Sequence, residues 1–265
     1  MKGIYTAVIV DNRITDIFEL VLNNFYKNLD ERWNFLIFVT NNNKDFLINL
    51  INTSFSNQKN RTTIIKLDID QPILAGKTYF THYDYSLLMT TKKFYELIPT
   101  EIFLIFQLDC LLSDKYHDNI YNFIDYDFTG APLPHQIGGN GGFSLRKKSK
   151  IIKILEDDNY RSLYNNRFYH EDGYFCLYPE INLPDRNLAK TFSVETFFYD
   201  KSAAIHQAYI YLNDDQINQL QTHIPQIREL EKRFKEMNKN RINILEYQSL
   251  NPKINFFDNY EIINF

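Results

Sequence analysis

One stretch limits the possible folds more than any other: Glu101-Ile-Phe-Leu-Ile-Phe-Gln-Leu-Asp-Cys-Leu-Leu112. It opens as an apolar run of strand length and turns acidic at Asp109. An apolar run without polar alternation suits a strand covered on both faces, and such strands belong to parallel sheets flanked by helices. Ligands in open α/β sheets bind beyond the carboxyl ends of their strands. The stretch is therefore read as one buried central strand that delivers Asp109 to the rim of the sheet.

The rest of the chain repeats the strand–helix alternation. Tyr5–Val10, Trp33–Val39 and Thr62–Leu67 are β-branched and aromatic runs that predict strands. Ile14, Ile17, Phe18, Val21, Leu22 and Phe25 recur at helical spacing, predicting a helix over roughly 14–27. Further helices are expected at about 43–53, from about Tyr83 to the stop at Pro99, and at about 147–157. Asn57–Arg61 reads as a polar loop, Asp68–His82 as an irregular crossing of the ligand face, and Ala203–Leu212 as a strand. This order defines an α/β class with a mostly parallel sheet and right-handed crossovers. Residues 1–212 are expected to form the ligand-binding domain, with 213–265 a helical C-terminal extension packed on it.

Bulk composition excludes several classes. With 265 residues, 44% hydrophobic and 23% charged, the chain is globular and long enough for one large α/β domain. A net charge of -4 is no footprint for nucleic acid or for an anionic membrane surface. The basic cluster Arg146-Lys-Lys-Ser-Lys150 reads as a solvated helix start. Cys110 and Cys176 offer neither a disulfide framework nor a metal spacing, so buried free thiols are expected. The chain enters its first strand at once, with no leader, and no apolar run approaches the ~20 residues that cross a bilayer. A reducing, cytoplasmic setting is the expectation. Nothing in the sequence fixes an oligomeric state.

Four groups of residues carry chemistry. Asp109 ends an apolar strand, and burying a lone carboxylate is costly. A hard cation with oxygen ligands, Mg2+ or Mn2+ serving a diphosphate, would compensate it; a helix cap or a salt bridge is the plainer alternative. Gly138-Gly-Asn-Gly-Gly142 holds four of the eight glycines. It matches neither the phosphate loop nor the dinucleotide fingerprint, so it is either a tight turn or a close approach of backbone to a bulky ligand such as a sugar. Glu171-Asp172 opens a helix, where acids favour the dipole; alternatively one acid holds structure while the other removes a proton. His206 lies in an apolar run as a core histidine or a manganese ligand. Asp11 and Arg13, beyond the first strand, are placed either to touch a nucleotide or to form a capping turn.

Together these strings resemble a family of bacterial and viral proteins of glycosyltransferase type. The matching residues are Ala7-Val-Ile-Val-Asp-Asn-Arg13, the Phe-Gln-Leu-Asp core ending at Asp109, Tyr126-Asp-Phe-Thr-Gly-Ala-Pro132, Gly139-Asn-Gly-Gly-Phe-Ser-Leu-Arg146, Glu171-Asp172, Phe192-Ser-Val-Glu195 and His206. The resemblance spans about residues 4–212 and implies a GT-A, Rossmann-like fold that binds a nucleoside-diphosphate sugar. Gln107-Leu-Asp109 stands where those enzymes carry an Asp-x-Asp metal motif, with Gln107 departing from the usual first Asp. It further implies Asp109 and His206 as ligands of Mn2+ or Mg2+, and Asp172, rather than Glu171, as the base. Asp11, Arg13, Gln107, Gly141 and Gly142 would frame the donor, and the acceptor would be a hydroxyl of a glycan, glycolipid or protein. A retaining transferase and a non-catalytic carbohydrate-binding protein are the alternatives.

Overall fold

The β-branched runs of the first third form three parallel strands in the computed structural model, which describes residues 3–68, 82–134, 137–164, 170–239 and 256–265. β1 (Tyr5–Val10), α1 (Ile17–Asn28), β2 (Trp33–Val39), α2 (Lys44–Thr53) and β3 (Thr62–Lys66) follow in order, with a 3-10 turn at Ser56–Arg61. The expected crossing of the ligand face falls largely on residues 69–81, outside the described residues. α3 (His82–Met89) and α4 (Lys92–Glu96) replace the single helix expected there. Thr90 and Thr91 end α3 by turning their hydroxyls back onto Leu87 O, and that of Thr90 also onto Ser86 O.

The expected strand over Glu101–Leu112 is in fact two. β4 (Ile102–Phe106) joins the main sheet and β5 (Cys110–Leu112) joins a small second sheet. Beyond them come β6 (Phe128–Pro132), β7 (Gly139–Lys147), α5 (Lys148–Glu156), α6 (Asp158–Tyr164), α7 (Glu171–Cys176), α8 (Arg186–Phe192), β8 (Ser193–Val194) and β9 (Ala204–His206). The strand expected over 203–212 stops at His206. Gln207 takes a left-handed conformation (φ 50°) and starts α9 (Ala208–Tyr211).

The main sheet runs β10-β3-β2-β1-β4-β7-β6, with β3, β2, β1 and β4 mutually parallel and β7, β6 and β10 antiparallel to their neighbours. Successive residues of the central strands enter opposite cores. Ala7, Ile9, Phe35, Ile37, Leu104 and Phe106 face α1 and α2. Val8, Val10, Leu36, Phe38, Phe103 and Ile105 face α4, α5 and α7. Phe25 of α1 stacks on Phe106 at 3.9 Å. Truncating either ring to Ala would cost about 3–5 kcal/mol.

The C-terminal extension is helical over α10 (Asp214–Gln221) and α11 (Ile227–Lys239). Its Ile217, Leu220, Ile227, Leu230 and Phe234 belong to the same core as α1. The chain then closes with β10 (Glu261–Asn264), a strand that helical expectations missed. It pairs antiparallel with β3, Glu261 opposite Lys66.

Candidate active site

The break between β4 and β5 builds the site. After Phe106 the chain turns, the Cys110 N–H donating to Gln107 O at 3.2 Å. Asn24 of α1 then captures Leu112 on both sides. Leu112 N–H donates to Asn24 Oδ1 at 2.7 Å, and Asn24 Nδ2 donates to Leu112 O at 3.0 Å. A fully buried amide thus stands in for a strand partner, and Asp109 is left at the rim with its side chain 16% exposed.

Two other strands reach the same rim. β8 and β9 run parallel with Val194 opposite Ile205, so the next residues, Glu195 and His206, come side by side. His206 Nδ1 lies 3.2 Å from Glu195 Oε2. Its Nε2 lies 3.4 Å from Asp109 Oδ1, 3.4 Å from Gln107 Oε1 and 3.3 Å from Gln207 Nε2. Just past the end of the neighbouring strand β1, the Asp11 carboxylate accepts the Arg13 backbone N–H at 2.8 Å and grips the Arg13 guanidinium from both oxygens. Asp11 therefore caps no helix and orients Arg13, whose charge is felt at Asp109.

The glycine cluster is part of β7 rather than a loop. Phe143 is the residue of β7 opposite the last residue of β4, so residues 139–142 run on past the rim. A Cβ on Gly142 would stand 2.3 Å from His206 Nε2 and 2.7 Å from Gln107 Oε1. One on Gly141 would stand 2.2 Å from Glu171 Oε1. The Gly141 N–H donates to Asp172 Oδ2 at 3.1 Å, and Asp172 Oδ1 accepts its neighbour Gly173 N–H at 2.6 Å. The second acid of the pair and the Asp109–His206 pair thus meet the chain at consecutive residues of one strand. Glu171 is committed elsewhere: it is buried and accepts from Arg146 Nη2 at 2.8 Å.

Arg146 corrects the solvated reading of its basic cluster. Its side chain is 0% exposed, and solvent begins only at Lys147. β7 is covered on both faces, and Arg146 shares with Ser144 the face that lies against Glu171 and Phe175 of α7.

Burial alone would lower the pKa of His206, yet Asp109 and Glu195 raise it to about 10. Burial would raise that of Asp109, while His206 and Arg13 bring it below the usual carboxylate range. The protonated imidazole is itself a cation between the two carboxylates, and a metal at Nε2 would take the place of its proton. Cys110 is the third group near this point, but burial and Asp109 push its thiol well up. It stays protonated, donating to Gly142 O at 3.3 Å. A carboxylate, an imidazole and an amide oxygen converge over a residue with no side chain, and Glu195 holds the far ring nitrogen as carboxylates behind metal-bound histidines do. The donor set fits Mn2+ or Mg2+, with oxygens predominating.

Among the described residues no helix is long and apolar enough to cross a membrane. The fold is that of GT-A glycosyltransferases. It is similar to the apo form of the glycosyltransferase GlyE of Streptococcus pneumoniae TIGR4, with a TM-score of 0.52 and 8% identity over 88% of this chain and 64% of GlyE. The present chain therefore spans just under two thirds of that protein's length. A second GlyE structure gives a TM-score of 0.50, 8% identity, and coverage of 89% and 64%. The mannosyltransferase PcManGT of Pyrobaculum calidifontis, solved with GDP-Man and Mn2+, gives 0.40, 10% identity, and coverage of 60% and 51%. No curated protein matches the chain. A family model described as "Protein of unknown function (DUF5672)" matches residues 72–208, and the chain belongs to that family.

Glu195 is the site residue that local reading passed over. Phe192-Ser-Val-Glu195 carries no local feature that marks its acid as functional. The signal was its place, one residue past a short strand parallel to the one that ends at His206.

Proposed function

We propose that this chain is a divalent-cation-dependent glycosyltransferase. It would move a sugar from a nucleoside-diphosphate sugar to a hydroxyl of a glycan, lipid-linked or protein acceptor, inverting the anomeric centre by single displacement. The observation that carries this reading is the Asp109–His206 pair, 3.4 Å apart beside Gly142 at the carboxyl end of a central strand. The GT-A fold supports it.

Asp109 and His206 would hold Mn2+ or Mg2+, with Gln107 Oε1 beside them. When bound, the cation neutralises charge on the donor and departing diphosphate. Glu195 fixes the His206 ring so that Nε2 faces Asp109. Arg13, braced by Asp11, directs a further positive charge at the donor. Gly141 and Gly142 leave the wall bare where a sugar would lie. Asp172, turned by the Gly141 N–H, takes the proton of the attacking hydroxyl. Residues 1–212 would carry this chemistry, with 213–265 packed against them, in a cytoplasmic setting.

A thermal-shift panel tests the reading: UDP, GDP and their hexose conjugates, each with and without Mn2+. A true donor raises the melting point more the more tightly it binds, following the logarithm of its concentration over Kd, and only with the metal. Metal-independent binding, unaffected by Asp109→Asn, would instead mark a carbohydrate-binding protein. Anomeric configuration of the product, read by NMR, separates inversion from retention.

A further inference from the structure

The buried Arg146 has no part in the chemistry just described, and its surroundings are unusual. Nε donates to Ser144 Oγ at 2.9 Å. Nη2 donates to Glu171 Oε1 at 2.8 Å and to Gly141 O at 3.2 Å. Nη1 reaches Tyr95 Oη at 3.4 Å, and the guanidinium lies 4.7 Å from the Phe128 ring centroid. Stability does not explain such a group. A buried ion pair replaced by apolar side chains of like volume is often neutral or stabilising. What the guanidinium achieves is geometric.

Its contacts converge on one residue, whose carbonyl and N–H belong to successive peptide groups. Gly141 O accepts from Arg146 Nη2 and, at 2.9 Å, from the Ser144 hydroxyl. Gly141 N–H donates in the other direction, to Asp172 Oδ2. Glu171, the other partner of Arg146, precedes Asp172 in the chain. Arg146 thus grips both ends of a closed ring: the carbonyl of the residue that orients Asp172, and the side chain next to Asp172. The missing Cβ of Gly141 is what lets Glu171 come this close.

We propose that Arg146 is a positioning residue: with Ser144 it clamps the Gly141 carbonyl, with Glu171 it holds the residue next to Asp172, and so it aims the Asp172 carboxylate. This rests on Asp172 as the base of the proposed transfer. Lysine cannot reproduce the clamp, because one ammonium has no planar fork to span Ser144, Gly141 and Glu171.

The experiment compares wild type with Arg146→Lys, and with Ser144→Ala, which leaves the ion pair intact. The first readout needs no substrate: the NMR shift and hydrogen exchange of the Gly141 amide. In both variants that amide should move and lose protection, while the amides of Phe143 and Leu145 keep theirs. The second is Mn2+-dependent hydrolysis of UDP-glucose, UDP-N-acetylglucosamine and GDP-mannose, in which water takes the place of the acceptor hydroxyl. On the nucleotide that wild type uses, kcat should fall about 10–100-fold in Arg146→Lys. Donor KM and the Mn2+-dependent melting shift with UDP or GDP should stay within about twofold, the mark of an interaction made only in the transition state. A folded variant whose Gly141 amide is unmoved, or whose kcat matches wild type, overturns the clamp. If the amide moves as expected but wild type uses no sugar nucleotide, the clamp stands and the transferase reading falls.

Discussion

Each residue of the site is defined by what holds it. Asp172 receives one backbone N–H on each oxygen, and Asp172→Asn keeps its size but removes the basic oxygen and one of those two bonds. Turnover should fall about 10²–10⁴-fold with Mn2+-dependent nucleotide binding intact, as steady-state kinetics and thermal shift would show. Glu195 touches no substrate in the proposed arrangement, yet His206 depends on it. Glu195→Gln should weaken Mn2+ about 10–100-fold, read by electron paramagnetic resonance on the protein alone. Unchanged Mn2+ affinity would remove Glu195 from the metal centre. At this scale the sequence showed much: Asp109 was visible because an apolar run cannot end in an unpaired carboxylate. Arg146 was not, because a charge next to two lysines looks solvated until β7 is known to be covered on both faces. Glu171 and Asp172 are neighbours in the chain with the same charge; only the family resemblance favoured Asp172, and in the structure the ion pair with Arg146 marks Glu171 out.

The strands and helices were legible where composition decides them. β1, β2 and β3 are β-branched or aromatic throughout, and α1 carries its apolar stripe in plain sight. The split of the 101–112 run was hidden, since its cause sits 88 residues upstream in Asn24. Removing that amide tests the cause. Asn24→Ala leaves the N–H and C=O of Leu112 buried without partners and should cost on the order of 2–4 kcal/mol in urea unfolding. A loss under about 0.5 kcal/mol would mean that the break holds itself. The glycines were legible as a special place but not as a strand, because glycine carries no β propensity. Their strand character comes from β6 on one flank and from the continuation of β7 into Phe143.

The molecule as a whole is tied together by a polar knot just past the end of β5. Ser113 Oγ accepts the backbone N–H groups of Lys115 and Tyr116, so its proton goes to His223 Nδ1 at 2.8 Å. His223 Nε2 then donates to Asp200 O at 2.6 Å. This joins the segment between α10 and α11 to the end of β5. The imidazole is neutral here, and burial holds its pKa below the ordinary value. The unfolded chain takes up a proton near pH 6.5 while the native chain does not. Protons therefore favour unfolding, and stability should fall as pH drops below about 6.5, levelling once the lowered native pKa is passed. In His223→Gln this part of the acid sensitivity should vanish, as urea midpoints at pH 7 and pH 5 would show. β10 was the least legible element, since four residues with two isoleucines specify no partner by themselves. Its pairing with β3, Glu261 opposite Lys66, closes a loop of about three quarters of the chain, which is entropically the most demanding contact in the sheet. In hydrogen exchange the amides of β10 should open well before those of β1. While they are open, β3 presents a bare row of donors and acceptors that any other extended chain can adopt. The tendency of this protein to aggregate would then be governed by a four-residue latch, and hardly at all by the strength of its interior.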